Sequence, residues 1–337
     1  MTTTVPLIYS FPEFEGVAEA VADHVISAQN MTLYNTLDHA QIKLIKDHLA
    51  NRKIAASASS ISLSNSHSGS GSGSIGGTES STANLNGASS NGVSSKSKKD
   101  KKKKQELRFK IAISGGSLIK ILFQGLLSRE EEIEWDKWDV YFADERLVPF
   151  DSPDSNYGQA KREIFDHIKG DKHPKLHHID ESLIDDPQEC ADAYEKLLID
   201  NFAKKDSVKL PMFDLLLLGC APDGHIASLF PNHGEILREK LAWCLPVSNA
   251  PAGPENRITL SIPVICHAHR VTFVVEGLTK APIIRTIMER PEKGLPSSIV
   301  NEGAAGRVTW FVDDDALKDC YEVTKKKYKF LSIEGST

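Results

Sequence analysis

Short apolar runs alternate with amphipathic segments of helical length from Leu107 to the end of the chain. The runs are rich in Val, Ile, Leu and Phe, which favour strands, and polar or turn-forming residues bound most of them. Strands separated by helical segments are typical of parallel sheets whose connections cross over as helices. The pattern therefore predicts the α/β class, as a three-layer fold with one mostly parallel sheet between helices.

Six strands and five helices are predicted in this region, with one more of each near the N-terminus. We assign residues 1–50, which hold that first strand and helix, and residues 107–337, the main body, to a single domain. The predicted strands are Val5–Ser10, Phe109–Ile113, Val140–Ala143, Phe213–Leu218, Ile258–Ile262, Val271–Glu276 and Val308–Val312. The predicted helices are Phe14–Gln29, Leu118–Leu127, Tyr157–Ile168, Pro187–Phe202, Lys280–Arg290 and Asp314–Cys320.

Residues 51–106 interrupt this domain as an insert of different composition. Ser, Gly, Asn and Ala dominate between Ala55 and Ser97, where no aromatic residue occurs. A segment with so little apolar surface cannot offset the entropy that is lost when its backbone becomes ordered. We therefore predict a disordered insert that lengthens a surface loop at modest entropic cost.

A lysine run, KSKKDKKKK, closes the insert with seven lysines between Lys96 and Lys104. Three interpretations of the run are open: a solvated tether, a nuclear localisation signal, or a contact to the phosphate backbone of RNA such as tRNA. The net charge of the whole chain is −6, so the run is the one obvious contact for nucleic acid.

The cysteine pattern and the apolar stretches indicate a cytoplasmic protein without membrane contact, which is also nuclear if the lysine run is a localisation signal. The five cysteines form no CxxC pair, which favours free thiols in a reducing compartment. Stretches such as Phe213–Ala221 are too short to cross a bilayer, and the first ten residues lack the features of a secretory signal. His267 and His269, expected on one face of a strand, have no third ligand nearby, so no metal is predicted.

Four predicted strands end directly in small, polar or charged residues. The carboxyl ends of parallel strands meet at one edge of a sheet, which is where ligands bind in such folds. We therefore expect one binding site, built from Ser114–Ser117, Asp144–Arg146, Gly219–His225 and Gly277–Lys280.

The first two endings carry groups that suit an anion. Backbone N–H groups and a helix N-terminus predict a phosphate cradle at Ser114, Gly115, Gly116 and Ser117. A tight turn in which Ser117 caps the helix is the alternative. Asp144 and Arg146 share one face of a strand, where the Arg146 guanidinium suits a phosphate, a carboxylate or an oxyanion. The alternative for these two is a structural ion pair.

The other two endings carry a candidate base and a candidate cation. A Pro-Asp-Gly turn presents His225, which suits a general base because the ordinary pKa of histidine is near neutral. Asp223 is placed to orient the turn or the imidazole. Lys280 opens a predicted helix, where the helix dipole disfavours a cation, so an anionic partner is expected. Arg257 is assigned to the same anion site or, alternatively, to the exposed start of a strand.

Six segments resemble the 6-phosphogluconolactonase family, in family order and along nearly the whole chain outside the insert. The combination of DER with PDGHxxSLFP is the most specific part. The segments are ISGGSLIKIL, FADERLVPF followed by DSNYG, MFDLLLLGCAPDGHIASLFPNH, NRITLSIPVI, VEGLTKA and WFVDDDA. The resemblance implies the fold shared by glucosamine-6-phosphate deaminases and ribose-5-phosphate isomerases.

The same resemblance implies hydrolysis of 6-phosphogluconolactone in the pentose phosphate pathway, without a metal or another cofactor. Either this lactone or 6-phosphogluconate is the implied ligand. Carried over position by position, the resemblance makes His225 the base and surrounds the substrate with Asp144, Arg146, Asp223 and Lys280. The deaminases have Asn-Glu-Pro where this chain has Ser228-Leu229-Phe230-Pro231, so deamination is not expected.

Two departures from the family pattern and the insert itself leave a second function open. Ala221 replaces a glycine, and if that position needs a positive φ or a close approach of the backbone to the substrate, alanine strains or blocks it at a cost of about 1–3 kcal/mol. Ile226 stands where threonine is common. The insert with its lysine run resembles the longer fungal SOL paralogues, a group linked to tRNA handling. We favour a lactonase, because nothing in the folded body forbids catalysis; the alternative is a non-enzymatic paralogue in tRNA distribution or nuclear export.

Deletion of residues 55–104 is expected to leave the thermal unfolding midpoint within a few degrees of the full chain's. The reason is that loop length enters the free energy of unfolding only logarithmically, and that this segment has little apolar surface to bury. Differential scanning calorimetry of both chains measures this. Loss of a cooperative transition on deletion would contradict the prediction.

Overall fold

The computed structural model describes residues 6–36, 42, 106–203 and 208–330. Two compact units are distinguished, Met1–His39 with Leu107–Thr337 as one and Ala40–Glu106 as the other. Of the second unit only Ile42 and Glu106 are described, so the predicted disordered insert and its lysine run lie outside the described residues. The strands and helices that position the candidate site belong to the first unit.

A main sheet of eight parallel strands forms the centre of this unit, which confirms the predicted α/β class. The strands are β1 (Leu7–Phe11), β2 (Phe109–Ile113), β3 (Trp138–Phe142), β5 (Lys175–His177), β6 (Leu215–Leu218), β9 (Val271–Val275), β10 (Val308–Asp313) and β11 (Lys325–Lys326). Their order in the sheet is β11-β1-β10-β9-β6-β2-β3-β5, and every pairing in it is parallel.

A second, three-stranded antiparallel sheet was not predicted. It consists of β4 (Asp144–Arg146), β7 (Cys244–Val247) and β8 (Arg257–Leu260), in the order β4-β8-β7. The prediction that Ile258–Ile262 is a strand of the parallel sheet was therefore wrong. The segment pairs with β4 and β7 instead, and it ends early because Ile262 and Pro263 begin a helix, where the rigid φ of proline is favourable.

The helices pack on both faces of the main sheet. The first helix continues to Tyr34, five residues beyond its predicted end at Gln29. The predicted helix Asp314–Cys320 is absent. Only i to i+3 backbone bonds form there, such as Leu317 N to Asp314 O at 3.2 Å, so the segment makes turns. The helices are α1 (Phe14–Tyr34), α2 (Ser117–Leu127), α3 (Asn156–Glu163), α4 (Pro187–Phe202), α5 (Gly234–Arg238), α6 (Ile262–His267), α7 (Ala281–Glu289) and α8 (Pro296–Gly303).

Alternate residues of the central strands enter two separate apolar cores, which explains the three layers. In β6 all four residues are buried; Leu216 and Leu218 contribute to one core, and Leu215 and Leu217 to the other. Runs that are apolar at every position are expected in parallel strands covered on both faces. The first core includes residues of α4, α6 and α7, and the second includes residues of α1 and α2.

The N-terminal segment is an integral part of this unit. β1 pairs with β10 over five residues, and α1 packs against α2. A Cβ atom at Gly125 in α2 would lie 2.4 Å from the carbonyl oxygen of Ala18 in α1, so glycine is needed where the two helices cross. Among the described helices, none is long and apolar enough to cross a membrane.

Candidate active site

The four polar strand endings lie side by side on one edge of the main sheet, as expected. They follow β9, β6, β2 and β3, which are consecutive neighbours in the sheet and all run in the same direction. Specific contacts also join the endings. The backbone N–H of Gly219 donates to the Ser114 hydroxyl oxygen at 3.1 Å, which ties the loop after β6 to the loop after β2.

Both glycines after β2 are required, Gly115 because a neighbouring side chain lies close to it and Gly116 because of its backbone conformation. A Cβ atom at Gly115 would lie 1.8 Å from the Asn156 side-chain oxygen, so no other residue fits there without displacing Asn156. Gly116 has a φ of +75°, a conformation that side chains disfavour, and it occupies the N-cap position of α2. The chain thus turns tightly into α2 and directs backbone N–H groups to the edge of the sheet.

Ser117 does not cap α2, so the capping alternative for this motif was wrong. Ser117 is the first residue of the helix, and its hydroxyl is hydrogen-bonded to Glu276, the residue that follows β9. Burial raises the pKa of Glu276, and the nearby Asp313 carboxylate adds to that rise. This carboxyl group, which was not predicted from the sequence, places a hydrogen-bond acceptor beside the predicted phosphate cradle.

Asp144 is a buried hub that links three elements. Its Oδ2 accepts a hydrogen bond from the Ser228 hydroxyl at 2.7 Å, and its Oδ1 accepts from Asn156 Nδ2 at 3.3 Å. The same Asn156 nitrogen donates to the Asp144 carbonyl oxygen at 2.9 Å. Since Asn156 also fills the space next to Gly115, the hub connects the endings of β2 and β3 with the segment after β6.

Glu145 holds the start of α3, a role that the sequence analysis did not assign. Its carboxylate accepts from the backbone N–H groups of Arg146, Asn156 and Tyr157 at 2.7–2.8 Å. Burial raises the pKa of Glu145 to about 7, against the lowering effect of these three bonds. The side chain therefore fixes the position of Asn156, and through it the orientation of Asp144.

Arg146 does not form the ion pair with Asp144 that was the alternative for this motif. Its Nη1 donates to the carbonyl oxygen of Asp154 at 2.8 Å, and its buried Nε has no hydrogen-bond partner among the described residues. Arg146 also lies directly opposite Arg257 in the antiparallel pairing of β4 with β8. Two guanidinium groups at such a position repel each other.

Arg257 is buried, with 3% of its surface exposed, so the alternative of an exposed strand start was wrong. Its guanidinium donates to the carbonyl oxygens of Ala252 and Pro254 and lies over the Phe230 ring at 5.3 Å. Burial lowers the pKa of Arg257, and the charge of Arg146 lowers it further. These two neutral carbonyl oxygens accept from Nε and Nη2, but they do not neutralise the charge of Arg257.

His225 and Asp223 form a hydrogen-bonded pair in the turn after β6. The Nδ1 atom of His225 lies 2.7 Å from Asp223 Oδ1, which also accepts the backbone N–H of His225 at 3.1 Å. Gly224, with a φ of +87°, permits the turn, and the imidazole packs on the Phe230 ring with centroids 4.5 Å apart. Burial lowers the pKa of His225, while the carboxylates of Asp223 and Asp144 oppose that shift.

Lys280 precedes the first residue of α7 and closes a short 3₁₀ turn after β9. Within the described ranges its ammonium group makes no hydrogen bond or ion pair. Its charge and that of Asp223 both act on the buried thiol of Cys220, so Lys280 and the His225 turn flank the same residue. The site thus contains three cations, Arg146, Arg257 and Lys280, that no described carboxylate pairs with at 4.0 Å or less.

The two departures from the family pattern do not distort the turn. Ala221 is not among the described residues with positive φ, so the strain expected for it was wrong. Its backbone closes the turn normally, since Gly224 N donates to Ala221 O at 2.9 Å. Ile226 is 1% exposed and belongs to the apolar core, so its side chain contributes to packing.

His267 and His269 were expected on one face of a strand, and this expectation was wrong. His267 is the last residue of α6, and His269 follows in a bend before β9. Within the part of the chain that the structure describes, no group of three or more potential ligand side chains is close enough to hold a metal ion.

Gly115→Ala is expected to lower the free energy of unfolding by about 1–3 kcal/mol, the usual range for overpacking. The added methyl group must displace Asn156 and with it the hydrogen bonds to Asp144. Gly219→Ala is the matched control, because a Cβ at the end of β6 meets no atom within 4 Å. Urea unfolding of both variants measures the difference; equal midpoints would show that the contact with Asn156 carries no constraint.

Comparisons with known proteins agree with this geometry. The family described as glucosamine-6-phosphate isomerases/6-phosphogluconolactonase matches residues 85–310. Two Saccharomyces cerevisiae proteins are similar over the whole chain: 6-phosphogluconolactonase-like protein 1, 61% identical over 100% of both chains, and 6-phosphogluconolactonase-like protein 2, 64% identical over 98% of both. The structure of 6-phosphogluconolactonase from Trypanosoma brucei superposes with a TM-score of 0.61 at 19% identity, covering 94% of this chain and 100% of that one, and shares the fold. The chain therefore belongs to the glucosamine-6-phosphate isomerase/6-phosphogluconolactonase family.

Proposed function

We propose that this protein hydrolyses 6-phosphogluconolactone to 6-phosphogluconate. The observation that carries the proposal is the pair of His225 and Asp223, 2.7 Å apart, on the same sheet edge as three cations without carboxylate partners. A base that is fixed by a carboxylate, next to positive charge, suits attack of water on the carbonyl group of an anionic ester.

Because of the hydrogen bond to Asp223, the two nitrogens of His225 have different roles, one as a donor and one as a proton acceptor. With Nδ1–H donating to the carboxylate, Nε2 is left with its lone pair and can accept a proton. Because burial lowers the pKa of His225, the imidazole is neutral at neutral pH and ready to act as a base. Asp223 then stabilises the imidazolium ion that forms when the proton arrives.

The proposed reaction proceeds through one tetrahedral intermediate. A water molecule gives a proton to His225 Nε2 while its oxygen bonds to the lactone carbonyl carbon, and the carbonyl oxygen becomes an oxyanion. The bond from that carbon to the ring oxygen then breaks, and the ring oxygen takes the proton back from His225. Arg146, with its unpartnered buried Nε, is assigned to the oxyanion or to the anionic substrate.

The phosphate group of the substrate is assigned to Arg257, Lys280 and the N–H groups of the loop 114–117. A dianion placed here would offset the repulsion between Arg146 and Arg257 and would give Lys280 the partner that it lacks among the described residues. Guanidinium groups suit this ligand because their planar N–H donors match phosphate oxygens in pairs.

Family membership supports this choice among hydrolytic reactions. The two full-length relatives are named as 6-phosphogluconolactonase-like proteins, and the T. brucei structure is named as a 6-phosphogluconolactonase. The alternative function, a role in tRNA distribution, rests on the lysine run between Lys96 and Lys104, outside the described residues. The absence of both lactone hydrolysis and stabilisation by 6-phosphogluconate would favour that alternative.

Asp223→Asn is expected to move the acidic limb of the kcat/KM profile to lower pH and to lower the plateau. The Asp223 carboxylate raises the pKa of His225, so its removal lets that pKa fall further below 6.5. The base then stays neutral in more acidic solution, although it loses its orienting partner. Rates of lactone hydrolysis from pH 4 to 8 measure the shift.

Asp171→Asn is the control for this profile, because it removes the same charge from an exposed loop. Its profile should match that of the wild type. A limb that stays in place in Asp223→Asn, or that moves to higher pH, would refute the assignment of His225 as the base.

6-Phosphogluconate is expected to raise the thermal unfolding midpoint of the wild type, and gluconate to raise it much less. Binding to the native state alone stabilises it by mass action, and the phosphate group is the part of the ligand that is assigned to Arg257 and Lys280. Lys280→Gln should reduce the response, whereas Lys318→Gln, an exposed lysine, should leave it at the wild-type level. Equal responses to the two ligands would remove the phosphate assignment.

A further inference from the structure

A cavity lies at the edge of the main sheet opposite the candidate active site. It has a volume of about 320 Å³ and lies before the first residues of β9 and β10, next to α1. Its lining residues are His24, His269, Arg270, Gly306, Arg307 and Thr309. The function proposed above uses none of them.

The cavity is strongly cationic. Arg270 and Arg307 each directly precede a strand, and because Val271 pairs with Val308, the two arginines are neighbours across the parallel pairing. Burial lowers the pKa of His24 to about 4, and the charge of Arg270 adds to that shift. The Asp214 carboxylate acts on Arg270 from a distance, and it accepts the Lys110 backbone N–H at 2.8 Å.

Neither guanidinium forms an ion pair with a described carboxylate. Arg270 is half-buried and makes no hydrogen bond or ion pair with any described residue. Arg307 is exposed and donates to the carbonyl oxygens of Ala268 and Cys266, which are neutral acceptors. A half-buried cation such as Arg270 loses hydration without full compensation, and an anion in the cavity would supply that compensation.

We propose that this cavity is a binding site for a phosphate group, either free or as the ester of a small molecule. Two adjacent guanidinium groups suit phosphate oxygens, and His269 and Thr309, which also line the cavity, add donors around them. His24 Nε2 is hydrogen-bonded to Thr272 Oγ1 at 2.9 Å. The volume is at the lower end of the range for small-molecule sites. β9 has five residues, so the cavity is separated from the other edge by about 17 Å, and its ligand cannot contact His225.

Calorimetric titration of the full-length protein with inorganic phosphate tests this site separately from the candidate active site. The Lys280→Gln variant isolates it by weakening phosphate binding at the other edge. In that background we expect one remaining site, and Arg270→Gln should weaken it by about tenfold or more, as loss of a charge-assisted hydrogen bond implies. Arg290→Gln, an exposed arginine after α7, is the matched control and should leave the affinity unchanged.

His269→Glu gives a second variant that does not depend on the packing of Arg270. This exposed residue lines the cavity, and a carboxylate there should repel phosphate by a similar factor. Circular dichroism shows whether each variant is folded. Unchanged phosphate affinity in a folded Arg270→Gln or His269→Glu variant, or no phosphate binding in the Lys280→Gln chain, would overturn the proposal.

Titrations with two ligands distinguish a site for a phosphate ester from a site for free phosphate. Titration with glucose 6-phosphate that is tighter than with inorganic phosphate supports a site for a sugar phosphate, and equal affinity supports a site for the free ion. The outcome is independent of catalysis, because Arg270→Gln should leave the rate of lactone hydrolysis unchanged. If the proposed activity is absent, the phosphate site at this edge is still measured by the same titration.

Discussion

The parallel pairing of β9, β6, β2 and β3 is the constraint on which the candidate site depends. Four neighbouring strands that run in one direction bring four polar endings to one edge, although up to 166 residues separate these endings along the chain, from Ser114 to Lys280. The Asp144 hub then fixes them relative to one another, through Ser228 on one side and Asn156 on the other. Gly115 completes the arrangement, since any side chain there would displace Asn156.

Electrostatics distinguishes this edge from an ordinary sheet edge. Burying Arg257 opposite Arg146 costs free energy, which the backbone carbonyls of Ala252 and Pro254 reduce but do not remove. The His225 imidazole is held neutral by burial and oriented by Asp223 in the same environment. A site with uncompensated positive charge beside a neutral base suits the anionic substrate that we propose, because binding of that substrate would compensate the charge.

The sequence predicted six of the eight strands of the main sheet, because each of the six is mostly apolar, a signal that survives without tertiary information. It did not predict β5 and β11, which have three and two residues and include lysines. It failed where tertiary contacts decide. β4 and β7 have three and four residues, too few for periodicity to detect, and they become strands only by pairing with β8. Likewise, Glu145 stood in the predicted DER ending, but its bonds to the start of α3 depend on a turn eleven residues away.

Among the site residues, the sequence identified the candidate base and the three cations, but it missed Glu145, Glu276 and the neutral groups that position Asp144. Asn156 and Ser228 both lie in segments that carry the family resemblance, DSNYG and SLFP, and that was the available signal for them. Their contacts with a buried carboxylate could not be read from spacing. The strain expected at Ala221 was wrong for a related reason: whether a position needs a positive φ depends on how the whole turn closes.

The rate of 6-phosphogluconolactone hydrolysis by the purified full-length protein and its His225→Gln variant tests the proposed chemistry most directly. A wild type that accelerates hydrolysis, with a loss of about 100- to 10,000-fold in the variant and intact binding of 6-phosphogluconate, is the result we expect from removal of a general base. A wild type without activity, or a variant that keeps the wild-type rate, would contradict the assignment of this edge as a lactonase active site.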